Sequence, residues 1–184
     1  MVYILLGTGF EEAEALVTAD VLRRADIPVA LTGIGGEHVT GSHSITVRAD
    51  VLVEPVVLGK DDMVVLPGGM GGVASIEGSE AAMALIRQAA ASPDYWLAAI
   101  CAAPTLLARA GLLAPDTRAV CYPSLGGELQ DALVILEDQP AVRDGRLITG
   151  RGPGAAFDFG LALVDALAGA DAARAVKAGL VYRA

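Results

Sequence analysis

The residues of this chain best suited to chemistry are one cysteine, one glutamate and a run of glycines. Cys101 ends the apolar run 96–100, and a helical pattern begins at once with Ala102, Ala103 and Pro104. The stretch Ala99-Ile100-Cys101-Ala102-Ala103 sets small residues two before and just after the thiol. A strand-to-helix elbow that presents a nucleophile needs this, because bulk would collide where the backbone turns sharply. Pro104 suits a first helical turn, where a missing N–H costs little. A thiol at a helix start meets free amides and the positive end of the dipole, which can bring its pKa down to roughly 3.5–7.5. Cys101 is therefore expected either as a reactive, ionised thiol or as a small buried hydrophobe, a common fate of free cysteine. Spacing alone leaves both open. Cys121, at the end of the run 118–121, reads as core.

The acidic turn LLGTGFEEAEA nearly matches a dinucleotide fingerprint, but Glu12 stands where the third glycine belongs. A pyrophosphate there would face Glu11, Glu12 and Glu14 instead of bare amides, so no nicotinamide or flavin site is expected. Acids at a helix start also complement its dipole, worth about 0.3–1 kcal/mol each when exposed. That reading suits Glu11 and Glu12 better than Glu14. Seven residues make nearly two turns, so Glu14 sits about 20° around the axis from Val21, with Val17 on the same row. Glu14 thus leans toward the buried stripe, where a carboxyl has a raised pKa and serves as a proton carrier near neutrality.

The third element is VVLPGGMGGV, with Gly68, Gly69, Gly71 and Gly72 just past an apolar run. No Gly-Lys-Ser/Thr follows, which excludes a P-loop. What remains is a tight turn whose N–H groups form an oxyanion hole or anion nest, or simply a turn without a ligand. His38 and His43 fall in the loop-like GEHVTGSH and are expected at the surface. No histidine follows Cys101, so a Cys-His dyad is not evident. Two scattered histidines and two distant cysteines make a poor metal site, and no metal is expected.

The elements that must position these groups follow from periodicity. Strand-like runs at 3–6, 29–32, 63–66, 96–100, 118–121 and 147–149 alternate with helical patterns at 11–25, 79–90, 102–110, 156–168 and 172–177. Such alternation implies an α/β fold, a mostly parallel sheet with helices on both faces. HSITVRADVLVEP alternates apolar and polar residues and is expected to form a strand pair at one edge. In this architecture sites gather at the carboxyl ends of strands, here after Leu6, Leu66 and Ile100.

With 184 residues, no repeat and no linker, one domain spanning 1–184 is expected. A composition 54% hydrophobic and 19% charged is that of a globular chain. Net charge is −9 with no cluster of Lys or Arg, which argues against nucleic acid and anionic membrane as partners. The longest largely apolar run, 97–108, contains Pro104 and is too short for a bilayer. The N-terminal run carries no basic segment ahead of it, so no targeting sequence is expected. Two cysteines are no disulfide framework, and a reducing cytoplasm is the expected location.

Four motifs occur in order: GFEEAEA, VVLPGG, AAICAAPTLLA and GRGPGAAFDFGLALVDALAG. Together they closely resemble the ThiJ/PfpI family, and more narrowly its Parkinson disease protein 7 subgroup, across residues 2–182. The resemblance implies a flavodoxin-like three-layer α/β/α sandwich with a mostly parallel central sheet, related to class I glutamine amidotransferases and usually homodimeric. It implies that Cys101 is the elbow nucleophile and Glu14 a protonated acid touching its sulfur. The amides of Gly69 and of Cys101 or Ala102 would bind a developing oxyanion, with Gly68 and Tyr122 as accessory positions.

The family often has His-Pro near the cysteine, whereas this chain reads CYPS with Tyr122 at that place. A phenol, with an ordinary pKa of about 10, is a poor base near neutrality, so the proton work moves to Glu14. Relatives are described as glutathione-independent glyoxalases, protein deglycases, oxidative-stress sensors and chaperones. The expected function is a cofactor-independent cysteine enzyme acting on 2-oxoaldehydes such as methylglyoxal, free or as adducts on glycated protein. The alternative is a cysteine-based oxidative-stress sensor or redox-regulated chaperone without turnover.

Overall fold

A computed structural model, which describes residues 1–129, 134–135 and 138–183, folds the chain around a seven-stranded sheet. In chain order the elements are β1 (Val2–Leu6), α1 (Glu12–Arg24), β2 (Val29–Gly33), β3 (His38–Thr40), β4 (Thr46–Arg48), β5 (Val51–Leu52) and β6 (Met63–Leu66). There follow α2 (Met70–Glu77), α3 (Glu80–Ala91), β7 (Trp96–Ile100), α4 (Ala103–Arg109), β8 (Arg118–Ala119) and β9 (Val134–Ile135). The chain closes with β10 (Ala141–Asp144), β11 (Leu147–Gly150), α5 (Ala156–Ala168) and α6 (Ala170–Gly179). Short 3-10 turns occupy Pro123–Leu129 and Pro153–Ala155.

The sheet runs β10-β11-β7-β6-β1-β2-β5, parallel throughout except for β10 against β11. Its parallel core, β2-β1-β6-β7-β11, has the flavodoxin-like order. The period of two along each strand divides the core. Ile4, Leu6, Val65, Ala98 and Ile100 face α1, α5 and α6, whereas Leu5, Val64, Leu66, Leu97 and Ala99 face α2, α3 and α4. Three layers result, as the alternation of short apolar runs and helices predicts. The chain leaves β1 toward β2 on one side and later returns to β6 on the other. The carboxyl ends of β1 and β6 therefore border the crevice where such folds bind ligands. Among the described residues no helix is long and apolar enough to cross a membrane.

Local chemistry explains where the elements depart from the sequence expectation. Residues 118–121 do not extend the main sheet. Only Arg118–Ala119 is strand, paired with β9 in a separate ladder, because Val120 N–H donates to the side-chain Oγ1 of Thr149 in β11 at 2.9 Å instead of to a main-chain carbonyl. HSITVRADVLVEP does not pair with itself either. β4 folds back on β3, which puts His38 in a strand, and β5 joins β2 at the edge of the main sheet. Asp50 directs that step: its N–H donates to Leu31 O at 2.7 Å and its Oδ2 accepts Leu31 N–H at 2.9 Å. The glycine run is a helix start and not only a turn, with Gly71 and Gly72 inside α2. Gly69 adopts φ 82°, its carbonyl accepts Val73 N–H, and α2 buries Val73 and Ile76.

Candidate active site

Cys101 follows β7 with φ 64°, in the left-handed region that an ordinary side chain occupies at a cost of about 1–3 kcal/mol. Two backbone bonds hold it there: Cys101 N–H donates to Gly150 O, and Cys101 O accepts Tyr122 N–H, both at 2.9 Å. The small neighbours matter as the sequence suggests, since Ala99, Ala102 and Ala103 are all buried around the bend. The thiol itself is only half-buried. Cys121 is buried, as expected for core, with its S–H directed at Tyr122 O at 3.4 Å.

Glu14 reaches the same point from α1 and is 1% exposed, which bears out the helical-spacing argument. Its Oε2 accepts Gly68 N–H at 2.6 Å, while Oε1 is buried with no hydrogen-bond partner among the described residues. Burial pushes this carboxyl up, the Gly68 and Cys101 hydrogen bonds pull it down, and the Glu11 charge pushes it up again, leaving it at about 7. A carboxyl of that strength gives and takes protons at neutral pH.

The thiol does not behave as the helix-start argument expects. Burial pushes Cys101 well above the usual range, and the Glu14 carboxylate pushes it the same way through its charge and its hydrogen bond. The N–H groups of Ala102 and Gly69 pull it back only in part. α4 is just seven residues long, and two amides do not outweigh a buried carboxylate beside the sulfur. Above the Glu14 midpoint the pair holds one proton and one negative charge, and passing the proton from sulfur to carboxylate makes the thiolate.

The glycine turn makes this juxtaposition possible. A Cβ on Gly68 would lie 2.7 Å from both Cys101 Cβ and Glu14 Oε2. A Cβ on Gly69 would meet Gly9 O at 2.4 Å and Glu11 N at 2.8 Å. Gly68, Gly69 and Ala102 all stand against Cys101, and Gly68 against Glu14 as well. Tyr122 is bonded through its backbone to Cys101 but is 45% exposed. Its ring lines a cleft of about 330 Å³ with Pro123, Arg151, Gly152 and Pro153. Another cavity, about 480 Å³, lies at the other end of the sheet beside Tyr95, Leu97 and Leu147.

One cluster escapes sequence reasoning. Glu11, Glu12 and His43 bring three possible ligand atoms within 4.8 Å of one another. Glu12, expected as an exposed helix-start acid, is only 5% exposed. His43 is on the surface as expected, yet its Nδ1 meets Glu12 Oε2 at 3.0 Å. The partners are some 30 residues apart, so no local pattern announces them.

Comparison with known proteins identifies the family and the shared fold. A family model described as the DJ-1/PfpI family matches residues 1–166. The chain is 40% identical over 179 residues to the protein dj-1beta of Drosophila melanogaster, spanning 97% of this chain and 95% of that one. The crystal structure of Drosophila melanogaster DJ-1beta superposes with a TM-score of 0.92 at 38% identity, over 100% of this chain and 98% of that one. The glutathione-independent glyoxalase DJ-1 of Schizosaccharomyces pombe is 27% identical over 187 residues, spanning 97% of each. On the matched family model, the identity to the fly protein and the shared fold, this chain belongs to the DJ-1/PfpI family.

Proposed function

We propose that this protein is a cofactor-independent cysteine enzyme that converts 2-oxoaldehydes, free or as adducts on glycated protein, to 2-hydroxy acids. The observation that carries the reading is a buried carboxyl titrating at about 7 beside a thiol held in a strained elbow. With methylglyoxal, the Cys101 sulfur adds to the aldehyde carbon while the proton sits on Glu14. The new alkoxide takes that proton, giving a hemithioacetal, with the amides of Gly69 and Ala102 available to the developing charge. Glu14 then removes the hydrogen from the former aldehyde carbon and returns it to the adjacent carbon through an enediol. The product is a thioester, which water hydrolyses to lactate, restoring the thiol. Tyr122, which lines the neighbouring cleft, does no proton transfer in this scheme. A homodimer in a reducing cytoplasm is the assembly and location we expect, as the family resemblance implies.

The half-buried Cys101 beside a hydrogen-bonding carboxyl also suits a second reading, a sensor in which peroxide converts the thiol to a sulfinate held by Glu14. One experiment separates the two. Purified protein is given methylglyoxal without glutathione and assayed for lactate, and a parallel sample is given a low peroxide dose and weighed intact. Lactate formation supports the enzyme. No lactate, with two oxygens added at Cys101 alone, transfers the site to the sensor reading.

Gly68→Ala should lower kcat/KM for methylglyoxal by about 10²-fold, because its methyl must push the thiol and the carboxyl apart. Kinetics near wild type would mean that the two groups need not be in contact.

A further inference from the structure

Glu12 opens α1 two residues before Glu14, and its carboxylate faces inward to residues 41–45. Oε1 accepts the N–H of His43 at 2.7 Å and of Ile45 at 3.3 Å. Oε2 accepts Ser42 Oγ at 3.2 Å and meets His43 Nδ1 at 3.0 Å. Burial would raise this carboxyl, but bonds from its own N–H, the His43 side chain and the backbone of His43 and Ile45 hold it down at about 2. It stays a carboxylate throughout the neutral range. The same loop is tied to the turn ahead of α1, where Ser42 N–H donates to Phe10 O and Gly9 N–H donates to Thr40 O, both at 2.8 Å. On the opposite side, Glu11 N–H donates to Gly68 O at 3.0 Å. The first turn of α1 is therefore gripped between residues 41–45 and the glycine turn that also donates to Glu14.

We propose that Glu12 is a positioning residue for the Cys101–Glu14 pair: by locking the start of α1 to residues 41–45, it fixes where the Glu14 carboxyl stands relative to the sulfur and to Gly68 N–H. This rests on the reading of Cys101 and Glu14 as the reacting pair. Misplacing a reacting group by about 1 Å costs roughly 10²-fold in rate, so a clamp two residues away is enough to matter. Gly41 offers an independent handle on the same clamp. A Cβ there would lie 2.3 Å from Glu12 Cδ and 2.4 Å from Oε1, and the carboxylate cannot retreat without giving up its donors. Glu11 and His43 are the titratable groups facing Glu12, and Glu11 and Cys101 those facing Glu14.

The test compares full-length Glu12→Gln and Gly41→Ala with wild type and with Glu37→Gln, an exposed acid paired to Arg48. Two quantities are read: methylglyoxal kinetics, and the rate of Cys101 alkylation by iodoacetamide as a function of pH. Both clamp variants should lower kcat at least about tenfold with KM within about twofold. Both should also move the midpoint of the alkylation profile by about half a pH unit or more. Glu37→Gln should match wild type throughout. A lower Tm with unchanged kcat and midpoint would make Glu12 a purely structural residue and overturn the proposal. If Glu12→Gln does not fold, Gly41→Ala decides on the same readouts. If wild type makes no lactate but the midpoint still moves, the positioning role stands and the proposed substrate falls.

Discussion

Cys101→Ser is expected to lose methylglyoxal conversion by on the order of 10⁴-fold or more, while the protein stays folded. The proposed chemistry begins with sulfur adding to a carbonyl, and a serine hydroxyl in the same elbow ionises far less readily and adds far more slowly. Among the described residues neither neighbour replaces it, since Cys121 is buried and Tyr122 bonds Cys101 through its backbone. Serine is smaller than cysteine, and the backbone bonds to Gly150 and Tyr122 do not involve the side chain, so the elbow should persist. Lactate is measured after prolonged incubation, with circular dichroism to verify the fold. A variant within about tenfold of wild type would remove the thiol from the reaction.

Glu14→Gln carries the second large effect, and it has two parts that run in opposite directions. Turnover should fall by about 10²–10⁴-fold, since glutamine accepts from Gly68 N–H but cannot ferry a proton. Stability should rise at neutral and mildly alkaline pH. The folded carboxyl titrates at about 7 against 4.5 for its reference value. Between those values the native state therefore holds more protons than the unfolded chain, and stability falls as pH rises through that window. Above about pH 7 wild type carries the whole penalty of a buried charge, on the order of 1–3 kcal/mol, and the glutamine variant carries none. Thermal unfolding at pH 5 and pH 8 reads this directly: the gap in Tm between variant and wild type should widen at the higher pH. An equal gap at both would mean that Glu14 is not titrating there.

Much of this site is legible in the sequence because each part announces itself locally. The alanines around Cys101 signal a tight bend, the spacing of Glu14 from Val21 puts it on the buried stripe, and glycines after Leu66 signal a turn without room for side chains. The three-layer fold follows equally from alternating periods. What local pattern does not carry is contact between distant segments. The role of Glu12 depends on Ser42, His43 and Ile45, and the upward shift of the thiol depends on a carboxylate that arrives from α1 some 87 positions earlier in the chain, at Glu14. The edge hairpin is a different case. Gly145-Arg146 is the two-residue loop between β10 and β11, a glycine-first turn signal, and Gly145 does adopt φ 60°, so β10 was within reach of the sequence.

The parallel sheet finishes on β5, a strand of only two residues whose Val51 and Leu52 are each more than one-third exposed. Open rims invite other polypeptides to add a rung, and very short rims are one way natural proteins decline the invitation. A stray segment laid along β5 would find too few main-chain groups to offset the loss of its own freedom. Brevity at that border thus protects the molecule from stacking with unfolded neighbours through its backbone.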